Sequence, residues 1–116
     1  MSVSDKDIVK ACRSVLQDVL IHRSRERCFL TAYQIWILLR EQNHPICERL
    51  VNNYGMAVGR HGGLNVGPAQ RIAQALGRSQ RIETHYLDTR RIHFRPIRRR
   101  YFAPSGQDCG IFRLRR

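Results

Sequence analysis

Glutamines and arginines share one side of a predicted helix over residues 68–78, PAQRIAQALGR. At 3.6 residues per turn these side chains fall within about a quarter-turn of arc. They are Gln70, Arg71, Gln74 and Arg78. Such side chains pair bidentately with adenine and guanine edges in the major groove of duplex DNA. The pattern predicts a face that reads bases or makes generic nucleic-acid contacts, with a plain solvated face as the alternative.

A glycine-rich segment, VGRHGGLNVG, stands directly before this helix. Glycine turns that lead into a helix N-terminus present amide hydrogens and the positive end of the helix dipole to phosphate. The segment lacks the Gly-Lys-Ser/Thr ending of a P-loop and the three-glycine dinucleotide pattern. Arg60 and His61 are its only basic side chains. We therefore expect contact with a nucleic-acid phosphate or a simple flexible connector, in preference to a nucleotide site.

Positive charge is concentrated in the second half of the chain. The protein has 21 Lys+Arg against 9 Asp+Glu, a formal net charge of +12. Residues 1–57 hold eight basic and six acidic side chains, net +2, whereas residues 58–116 hold thirteen and three, net +10. A basic domain of this kind favours a polyanionic partner, most simply nucleic acid, with DNA preferred over RNA. Arginines predicted to contact phosphate are Arg60, Arg90, Arg91, Arg95, Arg98, Arg99 and Arg100.

One cluster suggests catalysis instead. Glu83, His85 and His93 are spaced so that a β-hairpin brings them near one another, with arginines around them. Metal-independent RNases use His and Glu to move protons and Arg to stabilise the developing phosphate charge. The alternative interpretation is that Glu83 and His85 are surface residues of the hairpin.

Periodicity predicts an α+β, mainly helical protein of three to four helices with a C-terminal β-hairpin. Phe29-Leu30 is a candidate short strand, and helices are predicted over residues 5–23, 32–43, 45–54 and 68–77. Ile82, Thr84 and Tyr86 alternate with polar residues, as do Ile92 and Phe94, which predicts a hairpin over 81–97. A helix continuing through SQRIETHYL is the competing interpretation. Residues 1–97 then form one domain, and 98–116 form a basic arm or an extra edge strand.

Capping residues support these helix boundaries. Ser4 or Asp5 can cap the first helix, and Thr31 can cap the second. Pro45 suits the first position of the third helix, and Gly55 suits its C-terminal end.

The order of short strand, TAYQIWILL helix, further helix and RIETHYL-DTR-RIHFRP hairpin resembles a winged helix. The resemblance covers residues 29–97 and implies that 68–78 is the recognition helix and 81–97 the wing, with 45–67 an added helix and loop. AQRIAQALGRS also looks like the first helix and turn of a helix-turn-helix, which would place the recognition helix after Gly77. Both resemblances imply double-stranded DNA binding.

Other features exclude function classes. Cys12, Cys28, Cys47 and Cys109 are scattered singly without the spacing of a zinc site, so no metal or other cofactor is expected. No apolar run has the length of a bilayer span, and the N-terminus lacks a signal pattern, so we expect a cytoplasmic protein. A further alternative is a protein-interaction module that binds an acidic partner. Such a module could itself be a homodimer, with Trp36 or Tyr101-Phe102 in the contact between the two copies.

Overall fold

Four helices and a three-stranded antiparallel sheet form the part of the chain that the computed structural model describes, residues 3–21, 25–55, 67–88 and 108–115. The elements in chain order are α1 (Asp5–Asp18), β1 (Leu30–Thr31), α2 (Ala32–Glu41), α3 (Ile46–Tyr54), α4 (Pro68–Arg78), β2 (Ile82–Asp88) and β3 (Asp108–Leu114). The α+β, mainly helical class predicted from the sequence is confirmed. Within these ranges no helix is both long and apolar enough to span a lipid bilayer.

The helix starts follow the predicted caps. The Ser4 side chain accepts a hydrogen bond from the Asp7 amide at 3.2 Å. Thr31 caps α2 in a reciprocal capping box with Gln34. Because each cap satisfies amide hydrogens that have no partner within the helix, it fixes where the helix begins.

The helix ends agree less closely with the sequence. Gly55 ends α3 with a φ of +79°, a left-handed conformation that favours glycine. However, α1 ends at Asp18 and does not continue to residue 23. The chain becomes extended at Val19, whose carbonyl accepts from the Cys28 amide at 2.9 Å, and Leu20 forms an isolated bridge with Arg27. Pairing with residues 26–28 thus replaces the last predicted turn of α1.

The core lies between the four helices and one face of the sheet. Each helix contributes its apolar stripe, and β2 and β3 contribute Ile82, Phe112 and Leu114. Trp36 is only 1% exposed and packs inside this core. It therefore cannot form the dimer contact considered from the sequence, because Trp36 lies with Ile35 and Leu39 on the buried side of α2. Tyr101-Phe102, the other suggested contact, lies outside the described residues.

The sheet has the order β1-β3-β2. Residues 82–88 form a strand, as predicted, and not a continuation of α4. The partner of β2 is β3, with Ile82 opposite Leu114 and Asp88 opposite Asp108. The predicted hairpin had placed the second strand near residues 92–97, which lie outside the described part of the chain.

The position of β3 follows from its side-chain alternation. Phe112 and Leu114 are two residues apart, point to the same side of the strand and are buried in the core. On its other edge, β3 pairs with β1, so that Leu30 lies opposite Phe112. Residues 108–114 are therefore the central strand of the described sheet, where the sequence predicted a basic arm or an edge strand.

Candidate nucleic-acid interface

One side of α4 faces away from the core. Pro68, Ala69, Ile72, Ala75 and Leu76 are buried. The side opposite to them consists of Gln70, Ala73, Gln74 and Gly77, which we call the α4 face. Gln74 and Gly77 are exposed, and Gln70 and Ala73 are half-buried. The two glutamines predicted to face a ligand therefore do share an outer surface, but with small residues between them.

Gln70 also has a structural task at the start of α4. Its Oε1 accepts a hydrogen bond from the Gly67 amide at 3.1 Å, which satisfies one of the amide hydrogens at the start of the helix. Gly67 has an extended backbone here, and Pro68 takes the first helical position. The end of the glycine-rich segment thus sets the first turn of α4, and Gln74 is the glutamine on the α4 face whose side chain is exposed.

Arg71 does not lie on the α4 face. Its side chain is only 11% exposed, and its guanidinium contacts three different parts of the chain. Nη2 donates to the Val3 carbonyl at 2.7 Å and lies 2.7 Å from Oδ1 of Asp5, while Nε donates to the Tyr54 hydroxyl at 3.1 Å. The predicted contact of Arg71 with nucleic acid is replaced by a structural role, because the N-terminus of α1 brings a carboxylate beside it.

Arg78 is the second α4 arginine beside the same carboxylate. Its Nε and Nη2 donate to Oδ2 and Oδ1 of Asp5 at 2.8 and 3.1 Å. The hydrogen bond from Arg78 is the main cause that lowers the pKa of Asp5 from its ordinary value. Because the Arg78 side chain remains 62% exposed, it can still reach a ligand, but with part of its charge neutralised by Asp5.

The predicted phosphate-binding arginines lie outside the described residues, namely Arg60, Arg90, Arg91, Arg95, Arg98, Arg99 and Arg100. Six of them belong to residues 89–107, which connect β2 to β3 and contain no acidic residue. The structure does show where this β2–β3 connection leaves the sheet. Cys109 and Gly110, at the start of β3, line a cavity of about 120 Å³ together with Gln70 and Ala73. The arginine-rich connection therefore starts and ends at the edge of the α4 face.

Tyr86 is an exposed aromatic residue near the point where the β2–β3 connection leaves the sheet, and it was not among the predicted binding residues. It lies opposite Gly110 on the strand pair and on the same side of β2 as Ile82. Whereas Ile82 is buried, Tyr86 is 69% exposed. Its sequence signal is its place as the last of the alternating residues Ile82, Thr84 and Tyr86.

The other side of the sheet brings together two of the three residues considered for catalysis. His85 Nε2 lies 3.2 Å from Glu83 Oε1, and Arg113 Nε donates to Glu83 Oε2 at 2.6 Å. The Arg113 guanidinium stacks over the Phe29 ring at 4.4 Å, and Phe29 meets His85 edge-to-face at 5.3 Å. The sequence did not single out Phe29 or Arg113, because both are brought to Glu83 only by pairing with distant strands. His93 lies outside the described residues.

Glu83 is held as a carboxylate in this cluster. The hydrogen bond from Arg113, followed by that from His85, lowers the pKa of Glu83 from its ordinary value. An ionised Glu83 accepts hydrogen bonds and orients His85 but does not supply a proton near neutral pH. The arrangement links β2 to β3 and presents one histidine, 60% exposed, to solvent.

No group of His, Cys, Asp or Glu among residues 3–21, 25–55, 67–88 and 108–115 has a geometry that could hold a metal ion. The four cysteines are free thiols. Burial raises the pKa of the Cys12 thiol to about 12, and it also raises those of Cys47 and Cys109. Cys12 is fully buried, as expected for a small core residue, whereas Cys47 is only partly buried.

No protein-family model, curated protein or solved structure matches the chain. Its function is therefore inferred from the arrangement of α4, the sheet and the charged side chains around them.

Proposed function

We propose that this chain is a winged-helix domain that binds double-stranded DNA, with α4 as the recognition helix and the β2–β3 connection as the wing. Two features support the proposal. The chain order is helix, short strand, two helices, α4 and then two long strands. The sheet order β1-β3-β2 places the last strand between the other two, as in a winged helix. Here α3 is an additional helix between α2 and α4.

The observation that carries the proposal is the cavity that Gln70 and Ala73 share with Cys109 and Gly110. It places the α4 face and the ends of the β2–β3 connection side by side. The connection, whose sequence has six arginines and no acidic residue over 89–107, thus begins and ends beside a helix surface on which Gln74 is exposed. Base-edge contacts and phosphate contacts on one surface are the two components of specific DNA recognition.

The proposal assigns different tasks to the residues of this surface. Gln74 reads a base edge, because an amide pairs bidentately with adenine. The arginines of the connection, and Arg60, contact phosphates and supply most of the affinity. Arg71 positions α4 against α1 and does not touch the ligand.

The test is duplex binding by the whole protein over a series of salt concentrations. Phosphate contacts release counterions, so affinity must fall steeply as salt rises. Arg90→Ala with Arg91→Ala should weaken binding to all sequences and make the salt slope less steep by about two units. Arg25→Ala with Arg40→Ala is the matched control, because both arginines are exposed and lie on other elements. Absence of binding at low salt would overturn the proposal.

Base reading by α4 needs a separate measurement. A duplex that the protein prefers is first obtained by selection from random sequences. The difference in binding free energy between this duplex and one with a substituted base pair should then be about 1–3 kcal/mol smaller for Gln74→Ala. Gln17→Ala, an exposed glutamine on α1, is the control. Equal losses on all sequences would mean that Gln74 does not read bases and that binding is non-specific.

The contact between Glu83 and His85 favours a second candidate function, metal-independent cleavage of RNA phosphodiesters. A histidine oriented by a carboxylate can act as a general base or acid. Purified protein should then degrade RNA in the presence of a chelator, and His85→Ala should abolish this activity. RNA that remains intact with the unmodified protein would exclude this function.

A further inference from the structure

A basic groove lies between α1 and the turn that joins α4 to β2. Its volume is about 590 Å³, and its charged lining residues are Asp5, Lys6, Lys10, Arg13, Arg78 and Arg81. Five cations thus surround one carboxylate. The charge distribution along the sequence does not indicate this surface, because Lys6, Lys10 and Arg13 lie in the half of the chain that is nearly neutral overall.

Most of this charge is unpaired. The only carboxylate in the lining, Asp5, is already engaged by Arg71 and Arg78. In the part of the chain that the structure describes, the side chains of Lys6, Lys10, Arg13 and Arg81 form no ion pair with any acidic residue. Four cations held together without counter-charge favour an anionic ligand.

The cations form an extended row. Lys6, Lys10 and Arg13 follow the i, i+4, i+7 spacing, so they lie along one side of α1 over roughly 10 Å at 1.5 Å per residue. Arg81, in the turn before β2, and the apolar side chains of Val9 and Ala75 line the same groove. Such a row is longer than one phosphate group. A phosphodiester backbone carries charges at regular intervals over this length, so several phosphates can contact the row.

The groove faces a different direction from the α4 face. Ala75 and Arg78 are rotated by about 150° and about 90° around α4 from the centre of that face, at 100° per residue. The groove also lies near Arg81, which precedes β2, whereas the β2–β3 connection starts at the far end of that strand. At about 3.3 Å per residue the two ends of β2 are roughly 20 Å apart. The groove is thus separate from the surface described under the proposed function.

We propose that the α1–α4 groove is a second binding site for the phosphodiester backbone of nucleic acid. This inference rests on the proposed function and adds to it a contact outside the recognition helix and wing. The backbone in the groove belongs either to the flank of the duplex bound at the α4 face or to a second duplex. In both cases the protein neutralises phosphates on two sides of α4.

The test compares salt slopes for duplexes of about 12 and 30 base pairs. The groove variant carries Lys6→Ala, Lys10→Ala and Arg13→Ala, and the charge-matched control carries Arg25→Ala, Arg40→Ala and Arg115→Ala, three exposed arginines outside the groove. The inference expects the slope of the groove variant to fall by about two to three units, at about 0.9 per lost phosphate contact, and the control to keep the slope of the unmodified protein.

The duplex length identifies the source of the backbone. If the salt slope of the groove variant falls only with the long duplex, and one duplex binds per protein, the groove contacts the flank of the duplex bound at the α4 face. A fall seen also with the short duplex, with two duplexes bound per protein, indicates a second molecule. If the groove variant matches the control at both lengths, the groove inference is overturned and the proposed function stands. If the unmodified protein does not bind duplex, both are overturned. Should the triple variant melt early, Lys10→Ala with Arg81→Ala provides the same comparison.

Discussion

The carboxylate of Asp5 and the guanidinium of Arg71 are joined at 2.7 Å, which connects the first turn of α1 to the middle of α4. Since Arg71 also donates to the Val3 carbonyl, the N-terminal segment is attached to α4 by two bonds from one side chain. This contact determines how α4 is oriented relative to α1. It also removes from the outer surface an arginine that the sequence placed there.

Arg71→Ala should therefore affect stability and not ligand recognition. The substitution removes hydrogen bonds to Val3, Asp5 and Tyr54 from a largely buried guanidinium, and we expect a loss of about 1–3 kcal/mol in the free energy of unfolding. Gln74→Ala, on the exposed side of the same helix, should change stability by less than about 0.5 kcal/mol. Urea unfolding followed by circular dichroism measures both. Equal stabilities of the two variants would contradict the structural role of Arg71.

Asp5 should make stability depend on pH in the acid range. Its pKa in the folded protein is lowered, chiefly by the hydrogen bond from Arg78. The stabilisation is therefore fully present above its ordinary pKa of 3.8 and is lost as the pH falls through the lower folded value. Asp5→Asn should lose about 1 kcal/mol at pH 6, a modest value because the carboxylate is partly exposed, and should approach the unmodified protein near pH 2.

The measurement is the difference in unfolding free energy between the two proteins across that range. The Asn variant retains some pH dependence from Glu83, whose pKa is also lowered, first by Arg113 and then by His85. A difference that stays constant from pH 6 to pH 2 would show that ionisation of Asp5 contributes nothing.

Alanine substitutions at Gly110 and at Gly77 should change the stability of the protein in opposite directions. A Cβ at Gly110 would lie 2.8 Å from the ring of Phe112, which is 2% exposed and cannot move without disturbing the core. We expect Gly110→Ala to destabilise by about 1–3 kcal/mol. A Cβ at Gly77, inside α4, meets nothing within 4 Å, so Gly77→Ala should stabilise by roughly 0.5–1 kcal/mol. Thermal melting of both variants tests the pair, and a neutral Gly110→Ala would mean that Phe112 can repack.

Cys12 should be unreactive in the folded protein. It is fully buried, and burial raises the pKa of its thiol to about 12, so almost no thiolate is present at pH 8. With iodoacetamide at pH 8, peptide mass mapping should find Cys12 unmodified, whereas the half-buried Cys28 is modified sooner. Protein unfolded in guanidinium is the control, in which both react. Rapid modification of Cys12 without denaturant would contradict the packing of α1.

Local sequence signals were sufficient for the presence, start and buried side of α1, α2 and α4, but not for the end of α1. Thr31 and Gln34 form a cap within four residues of one another, and the apolar spacing of α1 and α4 shows which side is buried, so these elements are predictable without knowledge of distant residues. The exposed position of Gln74 follows from the same periodicity.

Contacts between distant residues were not predictable in this way. The DTR sequence, which starts at the last residue of β2, predicts a tight turn and a second strand in residues outside the described part of the chain. No local signal pointed to the strand that does pair with β2 in the described sheet, which begins at Asp108. The sequence of α4 alone also makes Arg71 and Gln74 look equivalent. The difference between them depends on Asp5, which is 66 positions earlier (71 minus 5) and reaches α4 only through the packing of α1. Periodicity predicts which side of a helix is exposed. It does not predict which distant residue, such as Asp5, packs against a side chain at the edge of that side.

The central position of β3 has a consequence for how the protein folds. β1 and β2 do not pair with each other in the described sheet, and each is joined only to β3. The contact between Leu30 and Phe112 closes a loop of about eighty residues, and closing such long loops before any gain from pairing slows folding. The helices, whose hydrogen bonds are local, can form first. The junction between β3 and α4 is then among the last parts to assemble, so the surface proposed to bind DNA exists only once folding is complete.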